Sequence, residues 1–361
     1  MPDGSRLGLR QTICALLCGV IFAVAPLPGV TASAASSPTD RSSPSAEPTT
    51  GASSGVRLKP AARRIAVLRD QRIVNPTGMA VSLLHKNVIW LISGRRLFAI
   101  NTAGETVAVY TLDGFKPQSL KAMAIRKEED GTSTLLLGDF GDPARRRAGV
   151  WLYAVPEPKT LADGKLRASR WLLSYPDGAQ DAGTLLLDPY DQRAYVVTVS
   201  PTGGKLYAIP SVLGPGMRNR MAVVRPLYFV AQDGFILADG RVVLRGGLQS
   251  HVLDGVKGRR LAFLQMPAGT EYGPIALGAD GKSMLTVGRQ RNAALWRVAL
   301  PDEPKGTARR GEEWSSTRVP DMKIDSPGRL PGGVLGTVSL GALVVLGGAG
   351  LVVMRRRRNA V

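Results

Sequence analysis

One short pattern recurs five times over residues 62–301 and limits what this chain can fold into. Each copy runs from an apolar segment, through a turn holding Asp or Gly, to a β-rich run such as Val88-Ile89-Trp90-Leu91-Ile92-Ser93. A further run such as Leu97-Phe98-Ala99-Ile100-Asn101 follows. The copies begin at Gly78, Ala122, Ala182, Gly234 and Gly273. Runs of branched and aromatic residues favour a pleated strand. The breakers between them, including Asp113-Gly114, Asp130-Gly131, Asp239-Gly240 and Asp280-Gly281, supply turns. Helix signals are nearly absent. A spacing of about 40–60 residues leaves room for four strands per copy. The expected class is therefore all-β, a β-propeller of about five four-stranded blades. The last copy runs out near Leu300 after about three strands. Segment Arg63-Arg64-Ile65-Ala66-Val67-Leu68-Arg69 is expected to supply the missing outer strand and close the ring.

The two ends of the chain predict export and a membrane anchor. Arg6 and Arg10 precede an apolar stretch over residues 11–25, and Thr31-Ala32-Ser33-Ala34 offers small residues for cleavage after Ala34. Residues 1–34 thus read as a signal peptide. Both cysteines, Cys14 and Cys18, lie within it, so no disulfide or thiolate metal site is expected in the mature chain. Residues 333–354 carry no charge and are long enough to span a bilayer as one helix. Arg355, Arg356, Arg357 and Arg358 follow at once, which predicts a short basic tail, residues 355–361, on the cytoplasmic side. Residues 35–61 are rich in Ser, Thr and Pro and read as a disordered spacer; residues 302–332 read as a stalk. The expected location is the cell membrane, single-pass, with residues 62–301 outside.

Charge narrows the partners. The chain has 47 basic and 28 acidic residues, a net +19. Setting aside residues 1–34 (two arginines and one aspartate) and the four-arginine tail leaves 41 against 27, or +14. An exported domain of that charge is expected to meet an anionic cell-envelope polymer or a protein partner, and not nucleic acid.

Few residues offer chemistry, and no catalytic set stands out. There is no HExxH and no phosphate-cradling glycine loop. The only histidines, His85 and His251, have no metal or nucleophile spacing, and His85 falls in a turn where solvation is expected. Asp139, Asp142 and Asp181 are the carboxylates that blade-connecting loops can bring to one end of the ring. A pair at i and i+3 across a glycine can share calcium, or can serve only to make turns. Arg145, Arg146 and Arg147 form the strongest anion-binding candidate, with a solvated loop as the alternative.

Two stretches carry a resemblance. Gly138-Asp139-Phe140-Gly141-Asp142-Pro143 with Trp151-Leu152-Tyr153-Ala154-Val155-Pro156, and Tyr175-Pro176-Asp177-Gly178-Ala179-Gln180-Asp181-Ala182 with Leu187-Asp188-Pro189, resemble exported actinobacterial WD40-like propellers. These are distantly similar to phytase-like and esterase-like propeller domains. The resemblance implies the propeller fold and, in phytase-like members, carboxylates that hold calcium and phosphate. Pro143 replaces an asparagine of the family pattern, and Gly183 and Thr184 stand where glutamate and alanine are usual. Two functions follow as expectations: a tethered binding or scaffold module for an anionic partner, or a divergent calcium-dependent phosphoester or carboxylester hydrolase.

Overall fold

The computed structural model describes residues 55–302. The expected signal peptide, stalk, membrane span, tail and most of the spacer lie outside these residues. Among the described residues no helix is long and apolar enough to cross a membrane.

The described chain is all strand and turn. It opens with β1 (Val56–Leu58) and β2 (Ala62–Val67). Blade 1 is β3 (Gly78–Val81), β4 (Val88–Ser93), β5 (Arg96–Asn101) and β6 (Thr106–Leu112). Blade 2 is β7 (Ala122–Lys127), β8 (Ser133–Asp139) and β9 (Val150–Pro156), then β11 (Ser169–Ser174) after the short β10 (Gly164–Leu166). Blade 3 is β12 (Ala182–Leu187), β13 (Ala194–Thr198) and β14 (Gly204–Ala208), then β16 (Ala222–Leu227) after β15 (Arg218–Arg220). Blade 4 is β17 (Asp233–Ile236), β18 (Val242–Arg245), β19 (Gln249–Leu253) and β20 (Arg260–Gln265). Blade 5 is β21 (Ile275–Leu277), β22 (Ser283–Val287) and β23 (Ala294–Ala299), completed by β2 from the other end of the chain.

The five repeats are therefore five blades, and the predicted closing strand is in place. β2 pairs antiparallel with β23, with Arg63 opposite Arg297 and Val67 opposite Ala294. The second strand of every blade is buried on both faces, because each blade is sandwiched between two others. That is why these runs read as continuous apolar stretches and not as alternating ones. Five apolar clusters fill the five gaps between blades. One of them sets Ile89 and Phe98 of blade 1 against Leu285 and Leu295 of blade 5, which seals the ring.

The blades depart from four strands in one respect. β10 adds to the outer edge of blade 1 beside β6, β15 to blade 2 beside β11, and β1 to blade 4 beside β20, each in parallel. Each added strand shortly precedes the outer strand of the next blade, so it clasps two neighbouring blades. β1 lies inside the stretch read as disordered spacer, residues 35–61. Leu58 explains the difference, since it packs on the apolar cluster between blades 4 and 5. The two unclasped edges carry their own protection. β16 contains Arg225 and Pro226, and β2 presents exposed Arg63 and Arg64.

A buried carboxylate ties blades 1 and 2 at one end of the ring. Glu157, just past β9, accepts hydrogen bonds from the hydroxyls of Ser82 and Ser133 and, at 2.6 Å, from the Trp90 indole. His85, expected in solvent, is half-buried beside it, with Nε2 2.7 Å from the Pro158 carbonyl.

Candidate anion-binding site

The loops leaving the second strand of each blade, and those entering the first, meet at the other end of the ring. Four of the six residues singled out from sequence come together there. Asp139 closes β8 and accepts the backbone N–H groups of Ser119 (2.6 Å) and Gln118 (3.1 Å). Arg147 folds back from the following loop. Its guanidinium donates to the Asp139 carbonyl at 2.8 Å and lies 3.2 Å from the Asp139 carboxylate. Its backbone N–H donates to Asp142 (2.7 Å), and the Asp142 N–H donates to Asp181 (2.7 Å). Arg145 and Arg146 turn outward and are exposed.

This arrangement does not fit a calcium ion. A hard cation takes six to eight oxygens. Here three of the six carboxylate oxygens accept backbone N–H groups other than that of Arg147, and a guanidinium sits among them. Among the described residues no group of three or more acidic or histidine side chains converges as a metal set. Gly183 has a packing reason as well. A Cβ there would lie 2.9 Å from the Gln232 carbonyl, so the inner strands of blades 3 and 4 leave no room for the family's glutamate.

An opening at this end lies over blade 4, a cavity of about 730 Å³. Its deepest charged group is Arg245, the last residue of β18, which is 0% exposed. Arg245 pairs across the sheet with Asp233, the first residue of β17. Asp233 is held by the N–H groups of Gly234 (2.9 Å) and Ile275 (2.8 Å), and burial pushes its carboxyl well up. Arg245 Nη2 donates to the Thr270 carbonyl at 2.6 Å, whereas Nε and Nη1 have no partner. Burial lowers Arg245 to about 10, so it remains a cation at neutral pH. The Glu271 and Asp233 carboxylates favour this cation, and its two donors without a hydrogen bond carry a cost that an anion would offset.

His251 of β19 stands beside it, 4% exposed. Its ring stacks on Phe229 at 3.8 Å and meets Phe263 edge-on at 5.2 Å, and Nδ1 has no partner. Burial, helped by the charge of Arg260, lowers it to about 4, so the imidazole is neutral. Leu248 and Met266 add apolar wall, and Arg57 of β1, Gln249 and Glu271 also line it. The arrangement can hold an anionic head against Arg245 with an apolar body along Phe229, Phe263 and Met266.

Sequence reasoning missed this pair. The available signal was Arg245 closing the run Val242-Val243-Leu244, a position that blades 1 and 3 fill with Ser93 and Thr198.

The histidine gives a pH test. In the unfolded chain it protonates near pH 6.5, whereas in the ring it stays neutral down to about pH 4. The unfolded state therefore takes up the proton first, and stability is lost as pH falls through that window. Between pH 7.5 and 4.5 the loss due to this group is about 2–3 kcal/mol. Urea unfolding of wild type and His251→Gln at both pH values checks it; the variant is expected to lose less by that amount.

No protein-family model matches this chain, and no curated protein matches it in sequence. Solved structures similar to it include a gluconolactonase from Xanthomonas campestris, at 13% identity, covering 65% of this chain and 88% of that one, with a TM-score of 0.40. A calcium-binding protein, regucalcin, from Agrobacterium tumefaciens is 14% identical over 69% of this chain and 98% of that one, with a TM-score of 0.40. A glucose dehydrogenase is 11% identical, covering 67% of this chain and all of that one (100%), with a TM-score of 0.37. Likenesses this loose assign neither activity nor ligand to the chain.

Proposed function

We propose that this chain is an exported, membrane-tethered propeller that binds a carboxylate- or phosphate-bearing partner in the cavity over blade 4. The observation that carries this reading is Arg245, fully buried in that cavity with two unpartnered donors. The +14 charge outside residues 1–34 and the tail supports an anionic partner, such as the acidic end group of an envelope polymer or protein. The apolar run and basic n-region of residues 1–34, with the uncharged stretch 333–354 before four arginines, support export and tethering. The expected mechanism is rigid display: a preformed cavity, a fixed cation and no chemistry.

Hydrolysis of an ester is a second reading, favoured by the idle His251 Nδ1 in the same cavity. In it His251 would take a proton from water attacking the ester carbonyl, and Arg245 would steady the oxyanion. A base lowered to about 4 gives little driving force for that transfer at neutral pH, so binding is the better reading. The calcium-dependent form of hydrolysis would need Asp139, Asp142 and Asp181, which Arg147 and backbone N–H groups already engage.

Calorimetry with benzoate and inorganic phosphate as probes tests the proposal. Arg245→Gln is expected to weaken binding by on the order of 10- to 100-fold, the loss of hydrogen bonds to a charged group. Arg146→Gln, on the exposed loop, is expected to bind as wild type. Equal affinity in wild type and folded Arg245→Gln would refute the proposal.

A further inference from the structure

We infer that the partner carries a second anionic group, held at the axial mouth of the ring by Lys121 and Arg289, on the far side of Tyr272 from Arg245. This rests on the blade-4 cavity being an anion site, and it specifies the ligand as an elongated dianion.

The axial mouth is a depression of about 100 Å³ lined by Thr77, Lys121, Asp181, Gln232, Tyr272 and Arg289. Its charges are two cations against one carboxylate, Asp181, which accepts the Asp142 N–H at 2.7 Å. Arg289 is fixed through its carbonyl, which accepts the Asn75 N–H at 2.8 Å, and its buried Nε has no partner. The mouth therefore sets two cationic side chains, Lys121 and Arg289, around a single carboxylate.

Tyr272 is the partition between the two depressions. It lines the mouth, and its ring lies against Gly247, which lines the cavity. A Cβ at Gly247 would come 3.0 Å from two ring atoms, so glycine lets the ring lie this close. Tyr272 also holds a φ of +57°, a left-handed conformation unusual for a bulky residue and kept only where the surroundings impose it. Tyr272 thus reaches from the mouth to the rim of the cavity as a half-exposed side chain held in an unfavourable backbone conformation. An elongated ligand crossing this ring places one head at Arg245 and the other between Lys121 and Arg289. Holding both heads joins two weak contacts into one event, which raises affinity without deepening either site.

The test uses the full-length protein in detergent micelles and linear carboxylates as probes. Dicarboxylates from succinate to sebacate are compared by calorimetry with monocarboxylates of equal carbon number. At one chain length the dicarboxylate is expected to bind on the order of tenfold more tightly than its monocarboxylate partner. In Lys121→Gln/Arg289→Gln the two are expected to bind alike. Tyr272→Ala is expected to shift the preferred length, because the path between the heads changes. If no dicarboxylate exceeds its partner, or if the advantage survives in the double variant, the second subsite is overturned. Monocarboxylate binding that still depends on Arg245 would then leave the cavity proposal standing. If neither series binds, both fall.

Discussion

Replacing Arg147 with methionine is expected to destabilise the ring by about 3–5 kcal/mol, the loss seen when one partner of a buried ion pair is removed. The Asp139 carboxylate is 1% exposed and faces the guanidinium at 3.2 Å. Two carbonyls, of Asp139 and Gly141, also accept from Arg147 Nη1, at 2.8 and 3.2 Å. Methionine fills similar volume but leaves a buried charge and two carbonyl acceptors without their donor. Arg145 and Arg146, its exposed neighbours, are expected to change stability by less than about 0.5 kcal/mol when replaced in the same way. Urea unfolding of the three variants measures the contrast. Asp139→Asn combined with Arg147→Met is expected to lose less than the two changes summed, because the second no longer orphans a charge. A loss under about 1 kcal/mol for Arg147→Met would mean that backbone N–H groups alone satisfy the three aspartates.

That contrast shows where sequence reasoning stops. Three consecutive arginines look alike in a sequence, yet one turns inward and two outward. Asp142 decides the turn by accepting the Arg147 N–H, and Arg145 takes the left-handed φ of +51° that reverses the chain. That Asp139, Asp142 and Asp181 lie in loops at one end of the ring was legible, because the loops at one end of a propeller meet whatever their sequence. What fills the space between them was not, since it depends on side-chain direction. The blades were legible for a related reason. Sandwiching between neighbours makes the second strand of each blade apolar throughout, so five such runs stand out. The clasping strands were not, because Val56-Arg57-Leu58, Gly164-Lys165-Leu166 and Arg218-Asn219-Arg220 are too short to carry any period. Arg245 and His251 were hidden by their surroundings: a polar residue in an apolar strand reads as a strand end until the fold shows that it faces a cavity.

Deleting residues 55–67 from the full chain is expected to abolish cooperative unfolding of the ring, the largest effect of any change considered. The deletion removes β1 and β2 together. β2 supplies the outer ladder of blade 5, and the N–H of Ala299 and the carbonyl of Ala293 bond to Ala61 and Leu68 at its two ends. Each ladder hydrogen bond contributes about 1 kcal/mol net. Ile65 and Ala66 of β2 pack on the cluster that seals blade 5 to blade 1, and Leu58 of β1 packs on the next one. These terms together approach the 5–15 kcal/mol by which an ordinary domain is stable. The deletion also bares the edges of β23 and β20, whose unpaired backbone groups invite association with other chains. Loss of a single sharp transition in thermal unfolding, with larger particles in light scattering, is the expected result. Adding a peptide of residues 55–69 in trans is expected to restore the transition, because the ring around the missing strand is otherwise complete. It should also restore probe binding, since Arg57 returns to the lining of the blade-4 cavity with β1. A deletion variant that melts sharply at the wild-type temperature would show that blades 1 to 5 hold together without their lacing. The apolar clusters packed between blades, and not the shared blade, would then be what keeps the propeller closed.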